Sequence, residues 1–117
     1  MINEARPKVR EIAIDQARAR LAQNPQVVLV DVREDSEWQK GHALQAVHLG
    51  KGVLERDIEK QIPNPHAEII MYCGGGYRSI LTAEVAQRMG YDNVFSLIGG
   101  YKALVQAGWP MKPEPMP

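Results

Sequence analysis

Apolar runs and amphipathic stretches alternate along this chain, and the alternation reads as strand, helix, strand, helix. Residues 27–32, Val-Val-Leu-Val-Asp-Val, form a nearly continuous β-branched run, the pattern of a central strand covered on both faces. Residues 67–72 and 93–97 read as two more short buried strands, residues 9–14 as a short edge strand, and residues 46–49 as a further short one. Between them lie helical spacings. Ile14, Ala17 and Leu21 place an apolar stripe on residues 14–24, which Pro25 stops. Residues 34–40 make a short helix ending at Gly41, and residues 53–61 a helix stopped by Pro63 and Pro65. Residues 79–89 form an amphipathic helix with Gly90 as its C-cap, and residues 101–107 a last helix that follows the Gly99-Gly100 turn and closes at Gly108. Such alternation predicts an α/β fold, a mainly parallel sheet with helices on both faces, whose ligands bind just beyond the C-terminal ends of strands.

Length and composition narrow the picture. The chain has 117 residues and 44% apolar residues, enough for one domain with its own core. We expect that domain over residues 8–110, with residues 1–7 as a flexible leader and residues 111–117 as an extended Pro-rich tail. Basic and acidic residues balance at 14 each, so no global field exists to hold nucleic acid or an anionic membrane. No apolar run approaches the roughly 20 residues of a membrane span, and the start lacks the form of a signal peptide. A cytoplasmic protein without nucleic-acid or membrane partners is the expectation. The single cysteine, Cys73, excludes an intrachain disulfide, a Cys-x-x-Cys redox pair and a thiolate zinc cage. Neither a metal nor a cofactor is expected.

The candidate chemistry sits where the strand at 67–72 gives way to the helix at 79–89. There the sequence runs Cys73-Gly74-Gly75-Gly76-Tyr77-Arg78-Ser79. A strand-to-helix turn directs backbone N–H groups and the positive end of a helix dipole at one point, which favours an anion or a thiolate. Cys73 is therefore placed to be a nucleophile. Three consecutive glycines would weaken regular structure by roughly 1 kcal/mol each relative to alanine, but they allow backbone to approach a ligand closely. Arg78 opposes the helix dipole, so its position makes sense when an anion meets it, and its planar fork grips oxyanions at two points. Nucleotide loops fit poorly: the phosphate loop of nucleotide hydrolases needs a Gly-Lys-Ser/Thr ending, and a dinucleotide fingerprint needs a glycine where Ser79 stands.

Three segments together resemble the single-domain rhodanese family of sulfurtransferases, over almost the whole chain. They are Asp31-Val32-Arg33-Glu34 with Glu37-Trp38, Gly41-His42 and Ala46-Val47-His48; the loop from Cys73 to Ser79; and Asn93-Val94, Leu97, Gly99-Gly100 and Gly108 with Pro110. The resemblance implies a five-stranded, mainly parallel sheet with helices on both faces. It also implies ping-pong sulfur transfer: Cys73 takes the outer sulfur of a small anionic donor such as thiosulfate, releases sulfite, and passes the sulfur to a thiol or cyanide acceptor or to a sulfur-relay protein. In that scheme Cys73 is the nucleophile, the backbone N–H groups of Gly74, Gly75, Gly76, Tyr77 and Arg78 form the cradle, and the Arg78 side chain binds the donor. Ser79 either adds a hydroxyl hydrogen bond or serves as a cap. Asp31, Arg33 and Glu37 are expected to form a supporting ion-pair network beneath the site, with His42 structural; His48 and His66 likewise lack a metal-ligand spacing. Trp38 reads as core.

The sequence departs from the family pattern in places. Gly74 stands where many members carry a basic residue, which leaves Arg78 as the loop's sole cation, and Gln45 and Gly50 replace the usual glycine and proline. Tyr101 and Leu104 stand where tryptophans are common, with Trp109 nearby. Related phosphatases on the same fold carry five residues between cysteine and arginine; here four intervene, and the smaller ring of amides suits one sulfur atom better than a phosphoryl group. A phosphatase or arsenate reductase, and a sulfur-carrier or interaction module, are the alternatives.

Overall fold

A computed structural model describes residues 9–50, 52–75 and 78–112. In chain order the elements are β1 (Arg10–Ile12), α1 (Ile14–Gln23), β2 (Val28–Asp31), α2 (Asp35–Lys40), β3 (His42–Ala43), β4 (Val47–His48), α3 (Leu54–Gln61), β5 (Ile69–Tyr72), α4 (Arg78–Arg88), β6 (Val94–Leu97), α5 (Gly100–Gln106) and β7 (Met111–Lys112). Five strands form one sheet in the order β1-β6-β5-β2-β4, with parallel pairing at each junction. The expected leader, residues 1–7, lies outside the described residues.

The β-branched and aliphatic strands are interior because both of their faces are covered. On one face Val30, Ile69, Met71 and Val94 pack with Leu54 and Ile58 of α3 and with Ile80, Ala83 and Ala86 of α4. On the other, Leu29, Ile70, Tyr72, Phe95 and Leu97 pack with Ala17 of α1 and Leu104 of α5. Successive residues of β5 thus point to opposite cores, as strand geometry requires. The continuous run of residues 27–32 becomes β2, one place from the middle; β5, the strand that leads to Cys73, is the central strand.

The order of the strands decides where a site can form. From β2 the chain moves outward to β4, then returns past β2 to β5 and continues the other way to β6. The connections leaving β2 and β5 therefore diverge, and a crevice opens between them at the C-terminal ends of these neighbours. The β2 connection carries Arg33 and α2; the β5 connection carries Cys73.

Two differences from the sequence reading are physical. Met111 and Lys112, placed in the extended tail by the sequence, pair antiparallel with Ala43 and His42, and the Met111 side chain is buried. Trp38, read as core, is only half-buried. It is stacked between His42 and His48, with ring centroids 3.4 and 4.7 Å away.

Candidate functional site

Cys73 directly follows the last residue of β5, and its side chain is buried with 1% exposure. Its backbone is pinned by α5: the Tyr101 N–H donates to the Cys73 carbonyl at 2.6 Å, and the Lys102 N–H to that of Gly74 at 3.4 Å. Gly100 makes this approach possible. Its φ is +53°, and a Cβ there would lie 2.2 Å from the Cys73 carbonyl oxygen, far inside contact distance. The Gly99-Gly100 pair seen in the sequence as a turn is thus the piece that seats α5 against the cysteine loop.

Arg78 is the first residue of α4. Its guanidinium forms a two-point pair with Glu37 of α2, Nη1 to Oε1 at 3.0 Å and Nη2 to Oε2 at 3.2 Å. The Glu37 bonds raise the Arg78 pKa above its usual value against the opposing effect of burial, and Cys73 adds to the rise. The same pairing with Arg78 is the main reason the Glu37 carboxyl lies below its ordinary range; burial opposes it, and the Glu34 N–H and Arg33 assist. Gly74 allows the pair to lie on the loop. A Cβ at position 74 would stand 3.2 Å from Arg78 Nη2 and 4.0 Å from Glu37 Oε2.

Beneath the loop is a second, buried polar cluster. Asp31 accepts from the Arg33 guanidinium at 2.8 and 3.1 Å and from the Arg33 backbone N–H at 2.9 Å. Arg33 also donates to the Gly41 carbonyl and lies under the Tyr101 ring, 4.0 Å from its centroid. Burial pulls the Arg33 pKa down, but the bonds and charge of Asp31 outweigh it and leave it raised. Tyr72 completes the cluster. Its hydroxyl accepts the Ala43 N–H at 3.1 Å; burial is the main reason its pKa is raised far above the ordinary tyrosine value, and the nearby Asp31 adds to the rise.

The expected network of Asp31, Arg33 and Glu37 therefore divides in two. Asp31 and Arg33 bind each other and the backbone, whereas Glu37 turns to the loop and engages Arg78. Ser79 is fully buried, with its hydroxyl 2.7 Å from Ser96 Oγ on β6, which ties the start of α4 to the sheet. His42 Nδ1 meets the Trp38 carbonyl at 2.8 Å, and His48 Nε2 the Arg33 carbonyl at 2.8 Å, so both rings brace the β2 connection. Gly75 lies in the bend after Gly74; Gly76 and Tyr77 lie outside the described residues. Tyr72, Gly100 and Tyr101 are site-forming residues that sequence reasoning did not single out. Of these, Gly100 had a signal in its double glycine.

Among the described residues no group of His, Cys, Asp and Glu is arranged to hold a metal ion, and no helix is long and apolar enough to cross a membrane. A cleft of about 630 Å³ is lined by Arg10, Arg20, Glu68 and Phe95 among others, and by none of the loop residues. Its charges are largely matched, Arg20 with Glu68 at 2.8 Å.

Comparison with known proteins places this geometry in context. The family model of the rhodanese-like domain matches residues 13–107. A protein of unknown function from Rhodopseudomonas palustris, described as a possible tyrosine phosphatase, is 32% identical, with a TM-score of 0.81 over 95% of this chain and 90% of that one. A thiosulfate sulfurtransferase from Pseudomonas aeruginosa superposes with a TM-score of 0.82 at 22% identity, over 97% of this chain but 22% of its own. A polysulfide-sulfur transferase from Wolinella succinogenes gives 0.78 at 21% identity, over 94% of this chain and 82% of its own.

Proposed function

We propose that this chain, which belongs to the rhodanese-like domain family, is a sulfurtransferase that carries sulfane sulfur as a persulfide on Cys73. The Cys73 thiolate attacks the outer sulfur of the donor. An Sγ–S bond forms as the donor's S–S bond breaks, and the electron pair leaves on sulfite when the donor is thiosulfate, or on a thiolate when it is a persulfide. A thiol or cyanide then attacks the outer sulfur and restores the Cys73 thiolate. The chain has no second cysteine, so the persulfide persists until an external acceptor, a small molecule or a sulfur-relay protein, arrives.

One observation carries the reading: a single thiol, almost wholly withdrawn from solvent, lies between the end of the central strand and the start of α4, with the Arg78 guanidinium against the adjoining Gly74. A helix start and a cation both favour thiolate over thiol. In this scheme Cys73 is the nucleophile and Arg78 faces the donor. The amides of Gly74, Gly75 and Arg78 supply the cradle, while Ser79, Asp31, Arg33 and His42 hold the loop and the β2 connection in place.

A second reading has one observation in its favour, the description of the R. palustris relative as a possible tyrosine phosphatase. Against it stands the loop, with four residues between Cys73 and Arg78, a short ring for a phosphoryl group. Intact mass separates the two. After incubation with a sulfur donor the native chain is expected to gain one sulfur, about 32 mass units, reversed by cyanide and absent in Cys73→Ser. Turnover of an aryl phosphate without any mass gain would overturn the sulfur-transfer reading.

A further inference from the structure

Arg78 is already occupied. Two arms of its fork are bound by the two oxygens of Glu37, and such a two-point pair is the arrangement an incoming oxyanion would need for itself. Glu37 is in turn fixed on α2, where its Oε1 accepts the Glu34 N–H at 3.1 Å. On the loop side Gly74, which has no side chain, lies directly against the pair. Residues 73–78 hold no second cation. With the nucleophile ionised, the thiolate and Glu37 face Arg78, while Arg33, the other cation acting on Glu37 among the described residues, is held by Asp31; the thiolate, Glu37 and Arg78 together carry one net negative charge.

We infer that Glu37 sets donor choice at this site, favouring a singly charged organic persulfide over a dianionic oxyanion donor such as thiosulfate. The inference rests on the sulfur-transfer reading of Cys73 and adds the class of donor. Thiosulfate brings two negative charges and expels sulfite with two, so it needs the guanidinium unshared and meets the Glu37 carboxylate as a repulsive neighbour. A persulfide asks for less. In its reaction Cys73–S⁻ and R–S–S⁻ give Cys73–S–S⁻ and R–S⁻: the Sγ–S bond forms, the donor S–S bond breaks, the donor's charge stays on the outer sulfur, and the charge of the attacking thiolate leaves on R–S⁻. The Arg78 N–H groups that Glu37 does not use are enough to meet that charge. Glu37 acts here as a specificity residue, through the charge it presents and through its hold on Arg78.

The test compares two probes, thiosulfate and cysteine persulfide, by the rate of sulfur loading on Cys73 followed by mass. For the native chain, kcat/KM with the persulfide is expected to exceed that with thiosulfate by at least about tenfold. Glu37→Gln keeps the side-chain size and an oxygen for the Glu34 N–H while removing the charge. It is expected to raise the ratio of thiosulfate to persulfide kcat/KM by roughly tenfold. Equal use of both donors by the native chain would overturn the inference, and this arm needs no variant to fold. So would a parallel loss of both activities in Glu37→Gln, which would mark Glu37 as holding Arg78 in place without discriminating. Loading by neither donor, in either protein, removes the sulfur-transfer reading itself and the inference with it.

Discussion

Tyr72 shows how much of this site depends on residues that take no part in chemistry. It is the last residue of β5, fully buried, and its hydroxyl accepts the Ala43 N–H. Its replacement by phenylalanine leaves the buried Ala43 amide without its acceptor. Tyr72→Phe is expected to lower stability by about 1–3 kcal/mol, since the desolvation cost of the abandoned amide is not recovered; a urea midpoint unchanged from the native value would contradict this. The sequence could not announce the role. Read along the chain, Tyr72 is one more residue of an apolar strand, and the amide its hydroxyl meets is 29 positions away. Cys73 is the opposite case. Its surroundings are local, a strand before it and three glycines and a helix after it, so residue types and order sufficed to single it out. Trp38 lay between these cases: its aromatic bulk suggested core, but the chain turns at Gly41 and runs back through β4, which brings His42 and His48 onto its two faces.

Among the elements, α5 does the most to shape the loop, because its start is packed against the Cys73 carbonyl. Two glycines separate the causes. Gly100 and Gly108 both have positive φ, +53° and +71°, but a Cβ at Gly100 would collide with Cys73 whereas one at Gly108 meets nothing within 4 Å. Gly108→Ala therefore bears only the conformational cost, about 1 kcal/mol, and is expected to keep sulfur loading. Gly100→Ala must also push α5 off the loop. It is expected to lose at least about 2 kcal/mol of stability and most of the loading rate, and comparable behaviour of the two variants would show that the contact with Cys73 does not matter. Helix and strand existence was readable here from periodicity, with ends shifted by a residue or two. β3 and β7 were not, because two residues each carry no period; their pairing is set by where the chain around them is already held.

At the scale of the whole molecule, the topology brings Glu37 to Arg78 across 41 positions of sequence. Charge pattern alone suggested that Glu37 belonged with Asp31 and Arg33, which are its neighbours in the chain. The divergence of the β2 and β5 connections gives it a different partner. That partnership has a pH signature. Because the Glu37 carboxyl is held below its unfolded value of 4.5, chiefly by Arg78, the unfolded chain binds its proton first as pH falls. Its contribution to stability is complete above the unfolded value and is lost as pH drops through the lower folded one. Both side chains are about one-third exposed, at 34% for Arg78 and 38% for Glu37, so solvent screening keeps the contribution at or below about 1 kcal/mol. Urea unfolding of the native chain and Glu37→Gln is therefore expected to show a small gap at pH 7 that narrows at a pH far enough below 4.5 to neutralise the native carboxyl as well. A gap of the same size at both pH values would assign the loss to packing. A narrowing gap would show that Arg78 is held by the charge of Glu37, the property on which the choice of sulfur donor is argued to depend.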